Sequence, residues 1–321
     1  MAGYLKLLFK ILLSVGLLTY LILNADINQI LSLLGNIWYE GRLAYILFGM
    51  CLFALAIFVF AVRLRLLLDT YHYHFSLWSL YKYYVIGLFF NNFLPTDVGG
   101  DVVRAYMITK DTNDGNVGLV SVMTERLMGM VSVLIMAMLV SLFYWDGYIL
   151  SIVIGGLGFS IVIFFLFIFY PKLLSLVNPI IDRLKIFNLS GKIYEFIDVL
   201  RHNNDNKSIY FKLWFWSLVG QTLVIVMTYL LSVGLGLQIS LGYLFFAVPA
   251  IFLIGTLPSI NGFGFREGGY VFFLGEIGIS ISAALSLSFL AILVPSTFSL
   301  WGGVLFLLNK KKINLKGYKN G

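Results

Sequence analysis

Two stretches of this chain are apolar enough to enter a membrane, yet each is broken at its centre by proline, glycine and charge. The first, Leu77–Ile108, contains Leu94-Pro95-Thr96-Asp97-Val98-Gly99-Gly100-Asp101, with Arg104 close behind. The second, Leu241–Gly278, contains Leu257-Pro258-Ser259-Ile260-Asn261-Gly262-Phe263-Gly264, followed by Arg266 and Glu267. Around them lie uninterrupted apolar runs: Leu7–Leu23, Leu43–Val62, Val117–Tyr144, Ile149–Tyr170, Leu213–Leu235 and Ser280–Leu308. Crossing about 30 Å of hydrocarbon takes roughly 20 apolar residues in a helix, and these runs are of that order. Apolar residues make up 60% of the chain and charged ones 12%, where a soluble domain carries roughly 25% charge. Too little charge remains for a water-facing surface, so the chain reads as an integral membrane protein.

The formal charge of +7 does not indicate a nucleic-acid partner, because the basic residues sit at the ends of apolar runs instead of forming one face. Cys51 is the lone cysteine and lies inside an apolar run, which excludes a disulfide framework and a cysteine metal site. His72 and His74 read as surface loop residues, and the three histidines, with His202, have no second cluster to make a zinc site, so no metal and no cofactor is expected. Neither GxxxxGK[ST] nor GxGxxG occurs, so no nucleotide bound to this chain powers transport.

Lysine and arginine mark cytoplasmic loops. Lys6 and Lys10 place the N-terminus inside, and Arg63 and Arg65 mark the end of the second run as inside. The loop Pro171–Lys212 carries seven basic residues, and the tail carries Lys310, Lys311, Lys312, Lys316 and Lys319. Asn24–Arg42 and Asp146–Tyr148 read as external loops, with Arg42 their one basic residue. The first run lacks a small-residue cleavage site and reads as a retained anchor. With these ends assigned, Leu77–Ile108 must enter and leave on the cytoplasmic face, and Leu241–Gly278 on the external face. The expected architecture is an all-α polytopic membrane protein with six spanning helices, two oppositely oriented re-entrant helical hairpins and an inverted-topology repeat. Residues 1–321 form one transmembrane domain, with 43–145 as the first inverted half, 171–212 as a cytoplasmic amphipathic loop and 213–308 as the second half. Within the loop, Ile193, Phe196, Ile197 and Leu200 repeat at helical spacing among basic residues, as in a helix lying on the inner leaflet.

Broken segments at matching places in two inverted halves point to a transporter binding site. Irregular backbone survives at membrane depth only inside protein or beside a watery cavity. The charges sharpen that reading. Asp97, Asp101, Arg104, Glu125, Arg126, Arg266 and Glu267 lie in or beside apolar segments, where each costs about 2.5–3.5 kcal/mol on insertion scales. The plainer role is mutual pairing that holds the bundle together. The sharper one begins with helices resuming at Asp101 and Arg266, whose N-termini would face the membrane middle and favour an anion. Arg104 and Arg266 would add forked donors matched to phosphate oxygens. Glu125 and Arg126 are neighbours pointing about 100° apart and cannot pair with each other. Glu125 is therefore expected to meet Arg104 or Arg266, and Arg126 an acidic tip residue or the ligand.

In these residues the chain resembles the lysylphosphatidylglycerol synthase transmembrane-region family, or flippase-like domain proteins. Three blocks carry the resemblance: Asn92, Pro95, Gly99, Gly100, Asp101 and Arg104; Glu125, Arg126 and Gly129; and Pro258, Gly262, Gly264, Arg266 and Glu267. Asn261 departs from the pattern, where the family often has glycine. The resemblance implies one flippase-like domain over nearly the whole chain, without the soluble synthase domain, and a lipid translocase or handler of lipid-linked precursors. The residues of the three blocks, Gly129 aside, are the expected substrate-binding set, with a membrane lipid or polyprenyl-phosphate-linked sugar as partner. Two further readings stay open: an integral membrane glycosyl- or phosphotransferase using Asp97, Asp101 and Glu125, and a non-catalytic partner of an envelope polysaccharide system. A homo-oligomer is also open.

Overall fold

The computed structural model describes residues 2–93, 99–141, 207–256, 259 and 261–309. Ten helices are present among the described residues: α1 (Ala2–Leu23), α2 (Ile27–Tyr39), α3 (Leu43–Thr70), α4 (Leu77–Phe93), α5 (Gly99–Thr112), α6 (Gly115–Ser141), α7 (Lys207–Gly234), α8 (Leu241–Gly255), α9 (Phe265–Glu276) and α10 (Ile281–Asn309). No strand occurs among them. The run Ile149–Tyr170, the loop helix expected near Ile193 and the turn residues Pro95, Asp97 and Pro258 lie outside the described residues.

Four helices are long and apolar enough to cross a membrane, within α3, α6, α7 and α10. At 1.5 Å per residue the 28 residues of α3 reach about 42 Å. Only 33% of the most apolar window of α3 is buried, and Phe48, Leu55 and Phe58 point outward from it. An outward apolar surface on a spanning helix is what lipid requires in place of a polar face. The first run, Leu7–Leu23, lies within the single helix α1, whose residues Ile11–Leu23 are bent by 85° from α2. Among the described residues the chain thus has four spans, or five counting this bent pair.

The segment expected to be an external loop, Asn24–Arg42, contains α2. Asp26 caps it, its carboxylate accepting from Asn28 N at 2.9 Å and Gln29 N at 3.3 Å, which satisfies two of the free donors of the first turn. The cap is tied to the start of α10, where Ser282 Oγ accepts from Asp26 N at 2.8 Å. Ile37 is buried on the inner face of α2, and the helix packs on α10.

The remaining helices are short. α4, α5, α8 and α9 have 17, 14, 15 and 12 residues, hence lengths of about 18–26 Å. They form two successive pairs, α4 with α5 and α8 with α9. The packing pattern is preserved when α3, α4, α5 and α6 are exchanged with α7, α8, α9 and α10. Thus α4 lies on α10 and α8 on α6, α5 lies on α6 and α9 on α10, and α3 and α7 lie along each other at the centre. A central apolar core, including Ile57, Met227, Leu231, Ala247, Phe273 and Ala284, joins both sets. A second core of Leu64, Leu80, Ile86, Ala105 and Ile108 lies under the first short pair.

Candidate functional site

The first short pair owes its closeness to glycine. Gly100 sits so near Gly87 that a Cβ added at 100 would lie 2.1 Å from the Gly87 carbonyl oxygen and 2.7 Å from Asn91 Oδ1. The Asn91 side chain accepts from Gly100 N at 2.6 Å, taking up a free donor at the start of α5. Gly99 and Gly100 are both buried at that start. This contact places Asp101 and Arg104, one turn into α5, against α6.

There Arg104 Nη1 donates to Glu125 Oε2 at 2.9 Å, and Nη2 donates to Asp101 Oδ1 at 2.5 Å. Arg126 donates to the other oxygen of Asp101. Both pairings match the expectation from the sequence. A third cation completes the group: Arg63 of α3 donates to Glu125 Oε1 from Nη2 at 2.8 Å and from Nε at 3.3 Å. Its Nη1 donates to Ser217 Oγ of α7 at 2.6 Å. The Arg104 guanidinium lies 4.3 Å from the centre of the Tyr84 ring, a cation–π contact. Glu125, Arg63 and Arg104 are only 2%, 6% and 8% exposed. Buried ions are tolerated when each lone pair and N–H finds a partner, and here the pairing is nearly complete. Among the described residues, three guanidinium groups face two carboxylates here. Asp101 and Glu125 each hold two arginines, which occupies the oxygens that a general base or a Mg²⁺ site would need.

Arg63 corrects the sequence reading. It was expected to mark a cytoplasmic helix end, but α3 runs on to Thr70 and buries it. Its neighbour Arg65 does face outward and pairs with Asp69 at 3.8 Å, one turn on. The unmet need of Glu125 for partners was the signal in the sequence that a further cation had to be near. Asn91, Tyr84 and Ser217 were also missed, and they carry no motif that would single them out.

At the second pair, the turn Asn261–Gly264 leads into α9. Asn261, Gly262 and Gly264 have φ of +50°, +77° and +85°. Asparagine is among the side-chain-bearing residues that enter the left-handed region most readily, which accounts for Asn261 where the resembled pattern has glycine. Gly264 also packs on α1, where an added Cβ would lie 2.9 Å from Leu17 Cβ and 3.0 Å from the Ser14 carbonyl oxygen. Glu267 reaches back to accept from Gly264 N at 2.6 Å through Oε2, closing the first turn of α9. Its Oε1 is 3.6 Å from Arg266 Nη2. The Arg266 guanidinium lies 5.5 Å from the Phe263 ring centre.

The two tips meet. Asn261 Nδ2 donates to Asn92 Oδ1 at 3.0 Å, across 169 positions of sequence. Asn92, Gly99, Gly100, Asp101, Arg104, Glu125 and Arg126 thus gather around the first pair, and Gly262, Gly264, Arg266 and Glu267 around the second, with this hydrogen bond between them.

Neither a curated protein nor a solved structure matches the chain. The family model described as lysylphosphatidylglycerol synthase TM region matches residues 7–302. That range takes in every helix that builds the charged cluster and both tips, and the chain belongs to the lysylphosphatidylglycerol synthase transmembrane-region family.

Proposed function

We propose that this protein is a lipid translocase of the bacterial inner membrane. It moves a phosphate-bearing head group, of a phospholipid or a polyprenyl-phosphate-linked lipid, between leaflets without hydrolysing ATP itself. The observation that carries the reading is the hydrogen bond from the Asn261 side chain to that of Asn92, which brings two glycine-rich tips together beside an arginine-rich cluster. Membership of a lipid-linked membrane family supports it.

In this reading the two short pairs are re-entrant hairpins entering from opposite faces, because each short helix falls below the roughly 30 Å of hydrocarbon. The exchangeable packing of the two halves is then an inverted repeat, with both termini cytoplasmic. The head group passes through the polar ground between the tips while the acyl chains stay in lipid. Rocking of one half on the other along the α3–α7 seam exposes that ground to each side in turn.

Reconstitution into liposomes with labelled phospholipids and polyprenyl-phosphate-linked sugars tests this. Head-group movement of at least one lipid class is expected with folded protein. Movement of none would remove the reading.

A further inference from the structure

The arginines of the two tips differ in what remains of their hydrogen-bonding capacity. Arg63 spends its Nε and Nη2 on Glu125 and its Nη1 on Ser217, and Arg104 divides its two amino groups between Glu125 and Asp101. At Arg266, Nε and Nη2 are both buried and neither has a hydrogen-bond partner. Those two nitrogens form the side-on edge of the guanidinium, whose parallel N–H bonds match two oxygens of a phosphate or carboxylate. Glu267 is 0% exposed and its Oε1 likewise has no hydrogen-bond partner. Arg266 Nη2 and Glu267 Oε1 stand 3.6 Å apart, an ion pair without a hydrogen bond, so three buried polar atoms at the start of α9 keep unused hydrogen-bonding capacity. Phosphate on the Arg266 edge would bring its own negative charge toward Glu267 Oε1. The two acidic groups can share that place when a proton lies between them.

We infer that the side-on edge of Arg266 docks the oxyanion of the ligand, and that the Glu267 carboxyl takes up one proton from the buffer as it does so, keeps it on Oε1 and donates a hydrogen bond through it to the bound oxyanion. This rests on the translocase reading and names its head-group contact: a phosphodiester, or free phosphate. On α9 the facing titratable group is Tyr270, buried beside Arg266 and Glu267. α8 contributes Tyr243, whose hydroxyl is committed to the Phe273 carbonyl at 2.5 Å. α10 has no titratable side chain, and α1 carries Tyr20 in its described part, with Tyr4, Lys6 and Lys10 earlier in the helix. Both docking nitrogens are closed off from solvent, so docking requires a local rearrangement beside Phe263, whose ring centre lies 5.5 Å from the guanidinium.

Calorimetry on the full chain in lipid nanodiscs tests this, with dihexanoyl-phosphatidylglycerol in one arm and inorganic phosphate in the other. Each titration is run in two buffers of different ionisation enthalpy, so that protons taken up are counted. Wild type is expected to take up about one proton more per bound ligand than Glu267→Gln, which keeps an acceptor for Gly264 N. The comparison at one pH cancels any proton taken by the ligand. Arg266→Lys keeps the charge, loses the fork and should weaken binding roughly tenfold or more. Binding in the lipid arm alone assigns a head-group site, and binding in both arms assigns a general phosphate site. Binding by Arg266→Lys at wild-type strength, equal proton counts in wild type and Glu267→Gln, or binding of neither probe would each overturn the inference. Lipid movement in liposomes would still stand or fall separately.

Discussion

Replacing Glu125 with alanine should be the most damaging single change in the charged cluster. The side chain accepts three N–H bonds, two from Arg63 and one from Arg104, and it is the contact that brings α3, α5 and α6 together. Removing it leaves Arg63, 6% exposed, with the neutral partners Ser217 and the Phe60 ring, while Arg104 keeps Asp101. Breaking a buried pair by deleting one partner costs about 3–5 kcal/mol, because an uncompensated charge is left in a poorly solvating interior. Unfolding by SDS from mild detergent micelles measures the loss, and Glu125→Ala should fall in that range. Arg65→Ala is the control: its side chain is 44% exposed with a 3.8 Å contact to Asp69, and a surface pair contributes at most about 1 kcal/mol. A double-mutant cycle with Arg63→Met should give a coupling above about 1.5 kcal/mol. Additivity of the two substitutions to within about 0.5 kcal/mol would refute the claim that the cluster is one interacting unit.

Gly100→Ala should abolish lipid movement and destabilise by about 1–3 kcal/mol or more, since the atom 2.1 Å from its Cβ is backbone and cannot step aside; wild-type SDS unfolding would contradict it. Gly264→Ala meets both a positive φ and the wall of α1, and should cost more than about 1 kcal/mol by the same measurement. In a Cys51→Ser background, Asn92→Cys with Asn261→Cys should crosslink with a short bifunctional thiol reagent and halt lipid movement in liposomes, because the native side chains are 3.0 Å apart. Failure to crosslink in the resting protein would separate the tips. Ser217→Ala removes the partner of Arg63 Nη1 and should lower stability by about 1.5–3 kcal/mol in the same SDS assay, as expected for a hydrogen bond to a charged group.

The features legible in the sequence were those with a steep cost in lipid. Apolar length located α3, α6, α7 and α10, save that Arg63 led the end of α3 to be drawn two turns early and the basic residues before Leu213 led the start of α7 to be drawn late, where the helix already runs from Lys207. The pairing of Glu125 with Arg104, and of Arg126 with Asp101, followed from helical geometry, since neighbouring charges on one helix must look elsewhere for partners. Arg63 was misread because an arginine near the end of an apolar run is usually an interfacial anchor, and local sequence cannot tell a charge that leaves the bundle from one turned into it. α2 escaped because its polar residues, Asn28, Gln29, Ser32 and Asn36, resemble a loop until its cap at Asp26 and its contact with α10 are seen. The contact between Asn92 and Asn261 depends on how the two halves dock, and no spacing along the chain encodes it.

The charged residues are unevenly shared between two halves that otherwise pack alike. Ion pairs lash α3, α5 and α6 together, and Ser217 ties in α7, whereas α10 has no ionisable side chain with which to hold α8 and α9. Prising the former apart means tearing salt links out of a dry interior, while shifting the latter means sliding greasy surfaces and parting one exposed amide contact. The ties are thus lopsided among the described residues: buried ion pairs resist separation around α5 and α6, and far fewer polar contacts hold α8 and α9 in place.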